Sequence, residues 1–196
     1  FINQIKQRTN QITFYGMGVD VADINNDLKQ DIYVLDMAST DHIRSKTLMA
    51  SMDTKRFSLL VDYFGMPHQY MYNSLQLNTG DAHFKNIAQM ARTANTDWSW
   101  AGLLADFNLD GHKDIYVTNG YRRYGLDNDS KNTILETQKA YNGKVPIALK
   151  QKLYEALPSE KLSNILFQNT GDLEFKNQTA KWGFLAPSFS NGAAYA

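Results

Sequence analysis

"DFNLDGHKD", residues 106–114, and "DINNDLKQD", residues 23–31, place oxygen-bearing side chains at the first, third, fifth and ninth positions of two nine-residue windows. These are Asp106, Asn108, Asp110 and Asp114 in one window, and Asp23, Asn25, Asp27 and Asp31 in the other. Both windows run directly into the strand-like tetrapeptide "DIYV", so the longer stretches 21–36 and 104–119 align at an offset of 83 residues. A second pair, "NTGDAHFKN" (78–86) and "NTGDLEFKN" (169–177), aligns at an offset of 91. Self-similarity at a long period marks a repeat architecture, and unequal offsets mean insertions of different length.

Within the first unit the β-branched and aromatic residues predict four short strands, over 15–22, 32–36, 73–78 and 83–88, with the acidic window joining the first two. The "NTGD" tetrapeptides supply a tight reversal between the last two, because Asn and Gly tolerate positive φ. Four antiparallel strands recurring in tandem are the pattern of a β-propeller blade. The expected fold is therefore all-β with helical insertions: a partial propeller of four-stranded antiparallel blades. One blade covers about 15–97 with an insertion at 39–72, and a second covers about 98–188 with an insertion at 121–162. Carrying the second alignment forward sets "WSWAGLLA" (98–105) opposite "FSNGAAYA" (189–196), the expected start of a third blade. Since a propeller closes with roughly 4–8 blades, residues 1–196 are expected to be part of a longer protein.

Both insertions read as helical. The first opens with Ser, Thr and Asp cap candidates and runs on good helix formers over 39–64. In the second, Pro146 suits a first helical turn, Leu149, Leu153, Ala156 and Leu157 share one face, and Pro158 stops the helix.

Oxygen ligands at positions 1, 3, 5 and 9, with a backbone carbonyl at 7, can wrap one hard cation, and Ca²⁺ suits six to eight oxygens. The seventh-position carbonyls belong to Lys29 and His112. Gly111 at the sixth position permits a sharp turn, whereas Leu28 stands there in the first window, which is therefore expected to be the weaker site. An EF-hand needs an acid at position 12, and the chain has Val34 and Val117. The plain alternative is that the aspartates only form Asx-turns in solvated loops.

The loops with their "DIYV" strands resemble the calcium-binding repeats called FG-GAP or VCBS, found in integrin α-chain propellers and in many secreted bacterial proteins. The wider pattern includes "GMGVDVADINNDLKQDIYVLDM", "NSLQLNTGDAHF", "TDWSWAGLLADFNLDGHKDIYVTNGYRR" and "PSFSNGAAYA". It is similar to the ASPIC/UnbV type of VCBS-repeat protein. That resemblance implies a calcium-stabilised propeller at a bacterial surface, lipid-anchored at the outer membrane and associated with nutrient uptake. It implies a protein partner or a glycan as ligand, with transporter components of the outer membrane among the candidates.

The balance of twenty basic against twenty acidic residues argues against nucleic acid. No apolar run is long enough to span a membrane. The four histidines, His42, His68, His83 and His112, occur singly, without zinc-protease spacing, and no nucleophile elbow is present. A binding or assembly module is thus the expected role, with a polysaccharide-degrading lyase or hydrolase on the same scaffold as the alternative. The aromatic and arginine-rich stretches "YFGMPHQYMY" (63–72) and "YRRYG" (121–125) are the candidate contact surfaces. Trp98 and Trp100 are expected to face one side and pack between blades, and Arg122 and Arg123 to pair with Asp127 or Asp129.

Overall fold

A computed structural model describes residues 2–47, 54–125 and 127–195. Most of the regular structure is antiparallel β-sheet. The first sheet orders Val19–Ala22, Asp31–Val34, Ser74–Asn78 and Phe84–Asn86 consecutively, every neighbour antiparallel. The second does the same with Asp97–Ala105, Asp114–Asn119, Ile165–Asn169 and Phe175–Asn177. Met37–Ala38, from the first unit, adds a fifth strand on the outer side of Asp97–Ala105.

The strands are shorter than the pattern predicts. The N–H groups of Phe14 and Tyr15 reach the Asp36 carboxylate, and that of Phe14 also donates to the Tyr70 carbonyl, so neither residue joins the first sheet. A larger departure lies inside the expected helical insertion 39–72: His68–Tyr70 is a strand, paired in parallel with Gln11–Thr13. Its alternating rings, His68, Tyr70 and Tyr72, are the period-two signature of that strand.

The sheets pack face to face across one core. Tyr33, Leu35 and Leu75 from the first meet Leu104, Ile115, Val117, Phe167 and Phe175 from the second, with Ala88, Ala91 and Ala94 between them. Full burial of a Leu, Ile or Val side chain contributes about 1.5–3 kcal/mol, so this shared layer dominates the chain's stability. The close approach depends on glycine: a Cβ on Gly18 would lie 2.4 Å from the Trp100 carbonyl oxygen. Asp20 Oδ2 accepts from the Leu104 N–H at 2.7 Å and locks the sheets in register.

The two units use their faces unequally. Leu104, Ile115 and Val117 are sealed, yet at the equivalent positions Val21 is exposed and Ile32 and Val34 only half-buried. Over the open face lies the N-terminal segment, leaving a cavity of about 420 Å³ lined by Ile5, Ile12, Ile32, Val34 and Phe84 among others. That segment repeats a later one: Thr9 bridges Phe84, as the Ala91 carbonyl accepts from the Phe175 N–H in the second unit.

The described parts of the first insertion are helical at His42–Thr47 and Thr54–Ser58, continuing as a π-helical turn over Leu59–Tyr63; the expectation for 48–53 lies outside the described residues. In the second insertion, Asn128–Ala140 starts where the Asp127 side chain accepts from Ser130 N–H. Ile147–Glu155 follows Pro146, as the sequence predicts, with Leu149, Leu153 and Leu157 half-buried and Ala156 exposed. The two insertions meet at Arg44, which grips Asp97 through two hydrogen bonds of 2.8 and 3.1 Å and pairs with Glu160.

Candidate cation loops

The acidic windows fold alike. Position 4 and position 6 both take positive φ, at Asn26 and Leu28 in the first loop and at Leu109 and Gly111 in the second. Such backbone costs an L-residue roughly 1–2 kcal/mol, and Leu28 bears that cost while fully out in solvent. The substitution that marked the first window therefore leaves its shape unchanged.

The carboxylates are aimed by backbone N–H groups in matching sets. Asp23 accepts from residues 27 and 28, and Asp106 from residues 110 and 111. Asp27 accepts from the Lys29 N–H, and Asp110 from that of His112. Asp31 and Asp114, fully buried, each bridge the position-2 N–H of their own loop and the N–H of an asparagine in the "NTGD" turn, Asn78 or Asn169. Burial raises the pKa of both Asp31 and Asp114 from the ordinary aspartate value. Asp27 is lowered chiefly by its hydrogen bond from the Lys29 side chain, and Asp110 by that from the His112 backbone.

The loops differ in their side-chain contacts. The Lys29 side chain lies over Gly80 as the His112 ring lies over Gly171, but Lys29 Nζ also stands 2.9 Å from Asp27 Oδ2, so the first loop carries its own counter-cation. They also touch: Asn26 Nδ2 donates to the Gly111 carbonyl at 3.1 Å, and Asn169 Nδ2 donates to Ile24 and Lys113 carbonyls at 2.8 and 3.0 Å.

Among the described residues, no three His, Cys, Asp or Glu side chains converge as a ready metal-holding group. The donor chemistry nonetheless fits a hard cation, being carboxylate and amide oxygen throughout. Asn25 Oδ1, at the third position of the first loop, is buried without a hydrogen-bond partner. Its counterpart Asn108 Oδ1 accepts from Asp110 N–H at 3.1 Å, and Asn108 Nδ2 donates to Asp110 Oδ2 at 2.7 Å.

Sequence reasoning missed the asparagines. Asn73 and Asn164, 91 positions apart, each accept from a strand-end N–H (Asp36, Asn119) and donate to a tyrosine hydroxyl (Tyr33, Tyr116). The same offset that aligned the "NTGD" turns would have found them.

The aromatic and arginine surfaces also rearrange. Trp98 and Trp100 do lie side by side, 6.2 Å between ring centroids, but both are only half-buried. Trp98 packs on Tyr121 and Tyr124, and Trp100 Nε1 donates to the Gly120 carbonyl. Arg123 sits 5.8 Å above the Tyr154 ring instead of pairing with Asp127 or Asp129. Burial pushes the Tyr121 hydroxyl up to about 12. No helix among the described residues is long and apolar enough to cross a membrane. No protein-family model and no curated protein matches the chain.

Proposed function

We propose that the chain is part of a calcium-stabilised β-propeller of the VCBS-repeat kind, exported to the cell surface and serving as a binding or assembly module in an outer-membrane glycan-uptake complex. The observation that carries this reading is the match of the two acidic loops in backbone conformation and in the backbone N–H groups their aspartates accept from, despite different sequences at positions 2, 4, 6, 7 and 8. Two solvated Asx-turns would have no reason to share a buried ninth-position aspartate held from a second strand pair. The open face of the first sheet supports the propeller part of the reading, because its sealed equivalent in the second unit receives a sheet.

In each loop Asp23 or Asp106, Asn25 or Asn108, Asp27 or Asp110, and Asp31 or Asp114 would hold the ion through side chains, with the Lys29 and His112 carbonyls completing the set. Calcium would supply positive charge at the junction of the first two strands of each unit. The chain's own residues do the rest: backbone N–H groups orient the carboxylates, and the asparagine of each "NTGD" turn ties the loop to the third strand. Extracellular modules of this type bind at roughly 10⁻⁴–10⁻³ M, which accords with export.

Calorimetric titration with calcium and melting in chelator test the reading. Two bound ions, a melting temperature lowered by chelator, and loss of one ion in Asp110→Ala are expected. A chain that takes up no calcium at millimolar concentration, and melts identically with and without chelator, has loops that are turns and nothing more.

A further inference from the structure

The helical pair of the second insertion is built to be covered. Neither Asn128–Ala140 nor Ile147–Glu155 buries a single residue. Helices of this length are marginal in water and draw their stability from packing an apolar face. Between them lies a cleft of about 260 Å³, whose lining includes Ile134, Val145, Leu153, Tyr154 and Leu157. In the same segment Ile147 is 82% exposed, and Leu135 and Tyr141 are exposed as well. An apolar cleft in a segment that exposes further apolar side chains marks a contact surface.

The charge of the segment says what kind of contact. Residues 121–162 hold eight basic side chains against five acidic ones, in a chain whose total charge is zero. Lys150 lines the cleft, Lys144 lies in sequence between the lining residues Gly143 and Val145, and Arg123 stacks on Tyr154. No carboxylate lines the cleft. A glycan is a poor match, because sugars need convergent hydrogen-bonding groups and the lining offers little beyond Gln138 and Lys150. The cleft's volume is that of one large apolar side chain rather than of an acyl layer.

We propose that this cleft docks an acidic protein segment that inserts one large apolar side chain between the two helices, its flanking carboxylates meeting Lys144, Lys150 and Arg123. This deepens the binding-module reading by assigning the partner's chemistry, and it does not depend on calcium.

The test uses the whole chain and two fluorescein-labelled synthetic decapeptides, one with a central tryptophan among glutamates and one with the same tryptophan among lysines. Fluorescence anisotropy is expected to show saturable binding of the glutamate peptide, at least tenfold tighter than the lysine peptide. The double charge reversal Lys144→Glu with Lys150→Glu should weaken it at least tenfold, and Leu153→Asp at least as much. Lys85→Glu, on the first sheet, should leave it unchanged. Circular dichroism checks that the charge-reversal variant keeps its helices, so the result stands even if Leu153→Asp unfolds the hairpin. Absence of binding, equal affinity for both peptides, or indifference to the charge reversal each overturns the proposal. Binding of vesicles of anionic phospholipid in preference to the glutamate peptide overturns it in favour of a membrane surface. Because the titration runs in chelator as well as in calcium, a failed calcium reading leaves this outcome untouched.

Discussion

Asn169→Ala and Asn78→Ala form a matched pair, because the two asparagines hold the same place in the two "NTGD" turns. Asn169 is fully buried, and its side chain makes three hydrogen bonds: to the carbonyls of Ile24 and Lys113, and from the Gly171 N–H at 2.9 Å. Alanine removes all three and strands the buried Ile24 carbonyl, while the half-buried Lys113 carbonyl and Gly171 N–H lose their partner as well. Each net bond is worth about 1 kcal/mol, and a buried group left unpaired costs about 1–3 kcal/mol, so the loss should be about 3 kcal/mol. For a chain of this size about 1 kcal/mol shifts the midpoint by 2–4 °C, which gives a drop of roughly 6–12 °C. Asn78 makes the same Gly80 contact at 3.0 Å and a longer one, 3.2 Å, to the Gln30 carbonyl, both at the surface. Water replaces them, so Asn78→Ala should cost under about 1 kcal/mol. Urea denaturation of both variants in chelator, with m-values compared to confirm that only stability has changed, measures the difference. Equal losses would mean that the tie from Asn169 to Ile24 across the two units contributes nothing, and the reasoning would fail.

Gly18→Ala should cost about 1–3 kcal/mol, because the new methyl meets the Trp100 carbonyl at 2.4 Å, whereas Gly125→Ala, with open space around it, should be near neutral in the same denaturation assay. Leu28→Gly should stabilise the chain by about 0.5–1 kcal/mol by relieving a left-handed residue, with a loss instead counting against the φ of +66°. Asp36 has its pKa raised by burial, only partly offset by N–H donors from Met37, Tyr15 and Phe14. A carboxyl raised in the fold takes up its proton more readily folded than unfolded. Its contribution to stability therefore grows as the pH falls through the folded value towards 3.8, and Asp36→Asn should flatten that part of a pH–stability curve.

Where local chemistry decides the structure, the sequence was a sufficient guide. Asp and Asn at alternate positions specified the acidic loops, "NTGD" specified both hairpins, and Pro146 marked the start of a helix to within a residue. The readings that failed are those settled by partners distant in the chain. His68–Tyr70 looked like part of a helical insertion because its ladder partner, Gln11–Thr13, lies 57 positions earlier and carries a weak strand signal of its own. Arg123 was matched with the nearest acids, whereas the Tyr154 ring, brought in by the helical hairpin, offers it a face. Trp98 was assigned to packing between sheets, but Tyr121 and Tyr124 fold back over it at the insertion's root. The asparagines went unread for another reason: a buried amide has no local sequence pattern, and only the repeat offset betrays it.

The open face of the first sheet bears on how the molecule behaves in company. In the propeller reading proposed above, its mate would be the back of a sheet, a surface of different composition from itself. A contact between the front of one molecule and the back of the next is heterologous: it uses up neither surface on the partner that would end the growth, and each addition repeats the same rotation. If the part of that face left exposed beside the N-terminal segment, at Val19 and Val21, takes such a contact, concentrated solutions of this chain alone should not stop at a two-fold dimer. They should lengthen head to tail until the accumulated rotation closes a ring, or, if it fails to close, continue as filaments.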